Sequence, residues 1–210
     1  MYNRSMKKII NPKINNTEYY IYNDDEYSID NKEFDQDNIT DFSNITFNSC
    51  VFNKVDFTKV KLLNTEFIDC IFNNCDLSNK SFENIGIHRV IFKDSKLIGV
   101  SLSECSLKNV QFLNSNIRYS NLYMVKTISV LFKDCILDES YITECTFKDT
   151  EFDKCSLKNS TILKLEHSGL DLTNSDIEDI NIDLQSLKGM KVNLIQAASL
   201  ARYLGIIIKE

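Results

Sequence analysis

The residues of this chain with chemistry to offer are seven cysteines, two histidines and thirty carboxylates. Their spacing argues against catalysis. Cys50, Cys70, Cys75, Cys105, Cys135, Cys145 and Cys155 all stand at multiples of five. No two form the CxxC pair of a zinc or redox site; a position shared by all seven marks one structural slot, in which a free thiol packs as a small hydrophobe. His88 and His167 have no nucleophile placed by motif. The five glycines form no phosphate-cradling loop, and HExxH and GxSxG are absent. No catalytic residue, cofactor or metal ligand is expected, and the chain is expected not to be an enzyme.

The carboxylates are the informative group because they are unevenly placed. From Asp134 to Asp183 there are 13 acids against four lysines, a net of −9, while residues 41–133 hold eight acids and eleven bases, a net of +3. Asp138, Glu139, Glu144, Asp149, Glu151, Asp153, Asp171, Asp176, Glu178 and Asp179 are the candidates for an acidic surface that meets a basic partner. The alternative is a solvated face that keeps the protein soluble. Direct binding of nucleic acid is not expected, since Lys54, Lys59, Lys61, Lys93, Lys96 and Lys108 form no clustered basic stripe.

What positions these groups is a period of five. From Phe42 to Ile182 every fifth residue is apolar, with Thr127 and His167 the only exceptions, and two residues earlier sits a mostly small side chain such as Cys50, Val55 or Ser95. Neither 3.6 nor 2 divides this spacing, so it describes a repeating supersecondary unit that turns a small and a large side chain inward once per five residues. Residues twenty apart form columns of like side chains. One is Phe52, Phe72, Phe92, Phe112, Phe132, Phe152 and Leu172, which implies four repeats per coil, stacked rings and a fixed register. About seven coils at ~4.8 Å make a rod of roughly 35 Å, and the unbroken phase predicts no loop insertion.

Cys50-Val51-Phe52-Asn53-Lys54, Cys75-Asp76-Leu77-Ser78-Asn79 and Ser175-Asp176-Ile177-Glu178-Asp179 resemble pentapeptide repeats. That resemblance implies an all-β solenoid, a right-handed quadrilateral β-helix with a packed interior. A second resemblance lies in the tail. Leu184-Gln185, Lys188-Gly189-Met190-Lys191-Val192, Gln196-Ala197 and Leu204-Gly205-Ile206 are similar to the tail of the plasmid-borne quinolone-resistance proteins and their mycobacterial relative. It implies a homodimer through the C-terminal end and a DNA-mimic protein that binds a type II topoisomerase, DNA gyrase or topoisomerase IV, and so lowers fluoroquinolone susceptibility. The other open reading is a β-helical interaction scaffold with an unrelated partner.

The expected organisation is a non-repeat segment over 1–38, the β-helix over 39–192 and a dimerisation tail over 193–210. Asn193 can cap a helix that Gly205 stops. Its apolar spacing at 194, 197, 198, 201 and 204 is that of a helix laid over the solenoid end, and Gly205 to Ile208 reads as a short strand. Leu194, Ile195, Ala198, Leu200, Ala201, Tyr203, Leu204, Ile206, Ile207 and Ile208 are the expected dimer interface. The first segment, with Tyr19, Tyr20, Tyr22 and Tyr27 clustered, reads as an added strand, a cap or a partly disordered stretch. An outward column, Val51, Ile71, Ile91, Gln111 and Leu131, is either ordinary strand propensity or a partner surface. Docking of the N-terminal segment, with its tyrosines as cover, is the functional version preferred. Lys80 in an inward slot is expected to reach out past a corner, and His167 to be a hydrogen-bonded core histidine. No apolar run reaches the ~20 residues of a membrane span, and residues 1–10 lack a signal-peptide core, so a cytoplasmic location away from membranes is expected.

Overall fold

Apolar side chains every fifth residue close the chain into a four-sided parallel β-solenoid of stacked coils. The computed structural model describes residues 8–21, 27–37 and 39–209. Face 1 stacks Phe42 on Leu62 and ends with Ile162 on Ile182. Face 2 carries Phe47, Phe67, Ile87, Leu107, Thr127, Phe147 and His167. Face 3 is the Phe ladder, and face 4, with Phe57, Leu77, Leu97, Ile117, Leu137, Leu157 and Ile177, is held by isolated parallel bridges such as Asp56 to Asp76 and Ser156 to Asp176. From Phe42 onward pairing on every face keeps an offset of twenty, so the repeats carry no insertion.

Two features of the repeat enforce the square section. The fifth residue adopts positive φ at nearly every corner, from Asn44 at 56° to Lys164 at 52°, and Asn and Asp, which tolerate this left-handed conformation best among non-glycine residues, fill many of these positions. The small inward slot ties neighbouring coils together. The Ser140 N–H donates to Ser160 Oγ at 3.3 Å while the Ser140 hydroxyl donates to the Ile117 carbonyl at 3.1 Å. Cys135 and Cys155 make the equivalent thiol contacts with the Phe112 and Phe132 carbonyls. All seven thiols are buried and free; burial pushes Cys75 and Cys145 up to about 12 and Cys105 up to about 11.

The ladder is longer than its phase implies. Phe34 stacks on Phe52 at 4.8 Å, and the column continues to Phe152 with centroids 4.6–5.0 Å apart and planes within 17° of parallel. The coil therefore begins inside the segment expected to lie outside the repeats. Ser28–Asp30 pairs with Thr46–Asn48, and Lys32–Phe34 with Val51–Phe52, at an offset of eighteen rather than twenty. That offset hides this coil from a search in phase. Counting it, the rod has about eight coils. Tyr20 seals its start, only 3% exposed and 4.7 Å from Phe34. Tyr22 lies outside the described residues.

Residues 8–17 lie along a corner of the rod rather than over the expected outward column, of which they touch Gln111, and they are held by backbone groups and by Asn11 and Asn15 rather than by tyrosines. Along the corner between faces 2 and 3, the Ile10 N–H donates to Asn109 Oδ1 at 3.1 Å and the Lys13 N–H to Asp69 Oδ1 at 2.9 Å. Ser49 Oγ donates to the Lys13 carbonyl at 2.9 Å. Gln111 of the outward column donates to Asn11 at 2.9 Å. Lys80, as its inward slot requires, carries its ammonium out to the Val60 carbonyl of the preceding coil at 2.6 Å.

At the far end, Asp183 caps Leu184–Leu187 and Asn193 caps Leu194–Leu200 with a full capping box to Gln196. The last turn, Ala201–Leu204, is 3₁₀ and stops at Gly205 with φ of 71°. Residues 205–208 form no strand, because no neighbouring strand in this chain offers a ladder.

Candidate functional site

The last coils gather the acidic residues. Glu151, Asp153 and Asp171 lie on face 3, and Asp138, Asp176 and Glu178 on face 4. Asp149 stands at the corner between faces 2 and 3, Glu144 at the corner between faces 1 and 2, and Glu139 and Asp179 where face 4 turns into face 1. The set wraps the rod rather than forming one stripe.

Most of these carboxylates are already paired. Asp138 meets Arg118 at 3.0 Å, Glu144 meets Lys164 at 2.8 Å, and Asp153 meets Lys133 at 3.3 Å. Asp171 lies 3.7 Å from Lys191, Lys158 sits 3.0 Å from both Asp176 and Glu178, and Asp179 is 3.3 Å from Arg202. Burial favours the neutral acid at Asp176, but Lys158 and the Glu178 N–H outweigh it and hold the carboxyl below its usual range. At Asp171 the Thr173 hydroxyl and N–H, with Lys191, do the same. Glu139, Asp149 and Glu151 have no ion pair or side-chain hydrogen bond among the described residues.

Asp138 departs from its expected place on an exposed surface. It is only 9% exposed, and its carboxylate accepts the Ser156 hydroxyl and the Lys158 N–H as well as Arg118. It ties three successive coils together and is poorly displayed. The pairing as a whole had a legible signal. Arg118 and Asp138, Lys133 and Asp153, Glu144 and Lys164, Lys158 and Glu178, and Asp171 and Lys191 are all twenty apart. In a four-repeat coil that is the distance to the residue directly above, the sheet equivalent of a cross-strand pair.

The tail also divides differently from the expected interface. Leu200 is 8% exposed and closes the core of its own chain, and Tyr203 is half-buried with its hydroxyl donating to the Ile180 carbonyl. The helix turns Gln196 inward, where its amide donates to the Leu172 and Ser175 carbonyls at 2.9 and 2.7 Å. The final coil ends in carbonyls with no strand above them, and only a donor can satisfy them. That demand overrides the apolar spacing. Leu194 and Ile195 are left 86% and 80% exposed, and Ala198, Leu204, Ile206, Ile207 and Ile208 are exposed with them, while Ala201 is half-buried. His167 is hydrogen-bonded as expected, but it is half-buried rather than part of the core: Nε2 lies 2.8 Å from the Ser186 carbonyl, and Nδ1 accepts from the Gly169 and Leu170 N–H groups. Among the described residues, no group of three or more His, Cys, Asp or Glu could hold a metal, and no helix is long and apolar enough to cross a membrane.

Fold and surface define a class: a four-sided β-solenoid of five-residue repeats with a closed interior and a polar, charged exterior. The chain is a pentapeptide-repeat protein. Residues 65–142 match the model of a pentapeptide repeat region and residues 40–79 that of pentapeptide repeats in eight copies. Among solved structures, a trypsin-treated variant of QnrB1, a plasmid-mediated fluoroquinolone resistance protein, is 24% identical over 87% of this chain and 90% of its own, with a TM-score of 0.42. HetL, a pentapeptide repeat protein involved in heterocyst differentiation regulation in Nostoc sp. strain PCC 7120, is 13% identical over 78% of this chain and 86% of its own, with a TM-score of 0.34. No curated relative matches the chain.

Proposed function

We propose that the protein is a dimeric DNA mimic that binds a type II topoisomerase, DNA gyrase or topoisomerase IV, and modulates it or protects it from fluoroquinolones. The observation that carries this reading is the exposed apolar set Leu194, Ile195, Leu204, Ile206, Ile207 and Ile208 at the acidic end of the rod. An apolar patch of this kind is a common mark of an interface. Joining two copies through it sets two acidic ends side by side in one continuous acidic middle, about as wide as duplex DNA. The tail motifs support the same reading, since they resemble those of the quinolone-resistance group. Of the ten candidate acids, those left to meet a partner's Lys and Arg are Glu139, Asp149 and Glu151.

A second reading, a scaffold for an unrelated protein partner, is favoured by one observation: seven of the ten candidate acids are spent on ion pairs within the chain. Gyrase supercoiling with and without ciprofloxacin separates the two. The proposal expects wild-type protein at micromolar concentration to inhibit or rescue supercoiling, and the Leu194→Asp, Ile207→Asp variant to lose the effect together with dimerisation. No effect of either protein supports the scaffold.

A further inference from the structure

The wall of the solenoid opens between residues 149–153 and the coil above them. In lower coils backbone bonds close the wall at this place. The Arg89 N–H donates to the Lys108 carbonyl at 2.9 Å, the Ile91 N–H to the Cys70 carbonyl at 3.0 Å and the Asn74 N–H to the Lys93 carbonyl at 2.9 Å. Their counterparts, from the Asp149 N–H to Ser168, from the Asp171 N–H to Thr150 and from the Lys154 N–H to Thr173, are not made among the described residues. A cleft of about 560 Å³ stands in their place, lined on its inner side by the buried Phe147, Phe152 and Leu170.

The opening has a cause in the repeat. The small inward slots that hold Cys145 and Thr150 in the coil below hold Leu165 and Leu170 here, both buried, and overfilling a packed slot shifts the backbone around it. What lies above draws the same coil upward. His167 Nε2 lies 2.8 Å from the Ser186 carbonyl, the Lys191 N–H donates to the Leu170 carbonyl at 2.8 Å, and Asn193 Nδ2 donates to the Thr173 carbonyl at 3.0 Å. On either side of the gap the coils stay joined, where Phe147 pairs with His167 and where Asn174 Nδ2 donates to Asp153 at 2.7 Å. The gap is thus a missing rung opposite residues 149–152.

Unpaired N–H and C=O groups along a strand edge are matched by another extended main chain. The cleft adds two conditions. Its inner side is apolar, and its rim carries the unpaired carboxylates of Asp149 and Glu151, while Lys191, the cation among the lining residues, is engaged by Asp171 at 3.7 Å. Complementary charge must therefore come from the occupant. The volume falls in the ~300–1,000 Å³ range of ordinary binding clefts. The chain's own free end does not supply the rung, since Arg202 and Tyr203 hold the tail at the diagonally opposite corner, against Asp179 and Ile180. We propose that this gap is a β-addition site for a short, extended, basic segment of a partner protein. The segment's backbone fills the missing rung, an aliphatic side chain turns inward, and lysine or arginine turns toward Asp149 and Glu151. The inference goes beyond the topoisomerase reading, and its test is read without gyrase, so either can fail alone.

The probe is a fluorescent heptapeptide of alternating valine and lysine, titrated against the full chain at low salt. It should bind wild type, and an N-methylated counterpart, which keeps every charge and loses the backbone donors, should bind about tenfold more weakly. Ser168→Trp, at an exposed lining position with no side-chain hydrogen bond among the described residues, fills the cleft and should cost about tenfold. Asp149→Asn with Glu151→Gln should cost about threefold, and Glu139→Gln, at the opposite corner, nothing. Hydrogen exchange reads the gap without a variant: the Lys154 amide should exchange about a hundredfold faster than those of Asn114 and Asp134, which are bonded to the coil above, and should slow when the peptide is added. Equal binding of the two peptides assigns the attraction to charge alone and overturns the proposal. Absence of binding at millimolar peptide, or equal protection of Lys154 and Asn114, overturns it as well. If Ser168→Trp dissociates a wild-type dimer, the occupant is the tail of a second copy and the assignment to a partner protein fails.

Discussion

The coils of residues 42–133 and those of residues 134–183 share one interior and differ outside. Both stack the same Phe column at the same spacing and turn the same corners in left-handed conformation. Yet the first half is slightly basic and carries the docked residues 8–17, while the second is acidic and ends in an exposed apolar tail. Inward slots fix the backbone, so outward slots can change charge without disturbing the core. Surface chemistry in this fold is therefore evidence about partners, and interior chemistry is evidence about stability.

The largest effects should come from the shared interior and be the same in both halves. Phe92→Ala and Phe152→Ala each empty one rung of the ladder and should each cost ~3–5 kcal/mol, within about 1 kcal/mol of one another in chemical denaturation. A loss at Phe152 of less than half that at Phe92 breaks the claim of one continuous core. At the acidic end, Leu200→Ala should cost ~2 kcal/mol, whereas Leu194→Ala should change the stability of the isolated chain by less than ~0.5 kcal/mol and shift sedimentation toward monomer.

Smaller again is a pH effect common to both halves. Burial pulls Asp69 toward the neutral acid, but Arg89 and the Lys13 N–H outweigh it, and Asp176 is likewise held low by Lys158. A carboxyl depressed in the folded state adds stability that is fully present above the unfolded value of ~3.9 and is lost as pH falls through the lower folded values. Melting temperature should therefore hold between pH 7 and 5 and fall below pH 4. Asp69→Asn should remove part of that fall; an unchanged acid limb means that these pairs contribute nothing.

The interior was legible because each inward residue repeats twenty positions later, so Phe52, Phe72 and Phe92 vouch for one another. The ends were not, for three physical reasons. The first coil is offset by eighteen, which breaks the phase at Phe34. Residues 8–17 are held largely through backbone groups that every residue carries, so apart from Asn11 and Asn15 little in their sequence marks the contact. Helix Leu194–Leu200 presents Gln196 together with Leu200 to the rod and leaves Leu194 and Ile195 outside, because bare carbonyls at the end of a solenoid need a donor. On the surface, the acid count is legible in the sequence and so is the pairing at a spacing of twenty, which separates Asp138, which holds coils together, from Glu139, which faces outward.

The proposed topoisomerase contact lies on the unpaired acids of the second half. The direct measurement is the affinity of purified gyrase for wild-type protein, for Glu139→Gln with Asp149→Asn and Glu151→Gln, and for a first-half control, Glu66→Gln with Glu83→Gln, all in one buffer at fixed salt. The account predicts unchanged folding of all three, each substitution within ~0.5 kcal/mol, and at least a tenfold loss of affinity for the second-half variant alone. Equal binding by all three proteins would contradict it.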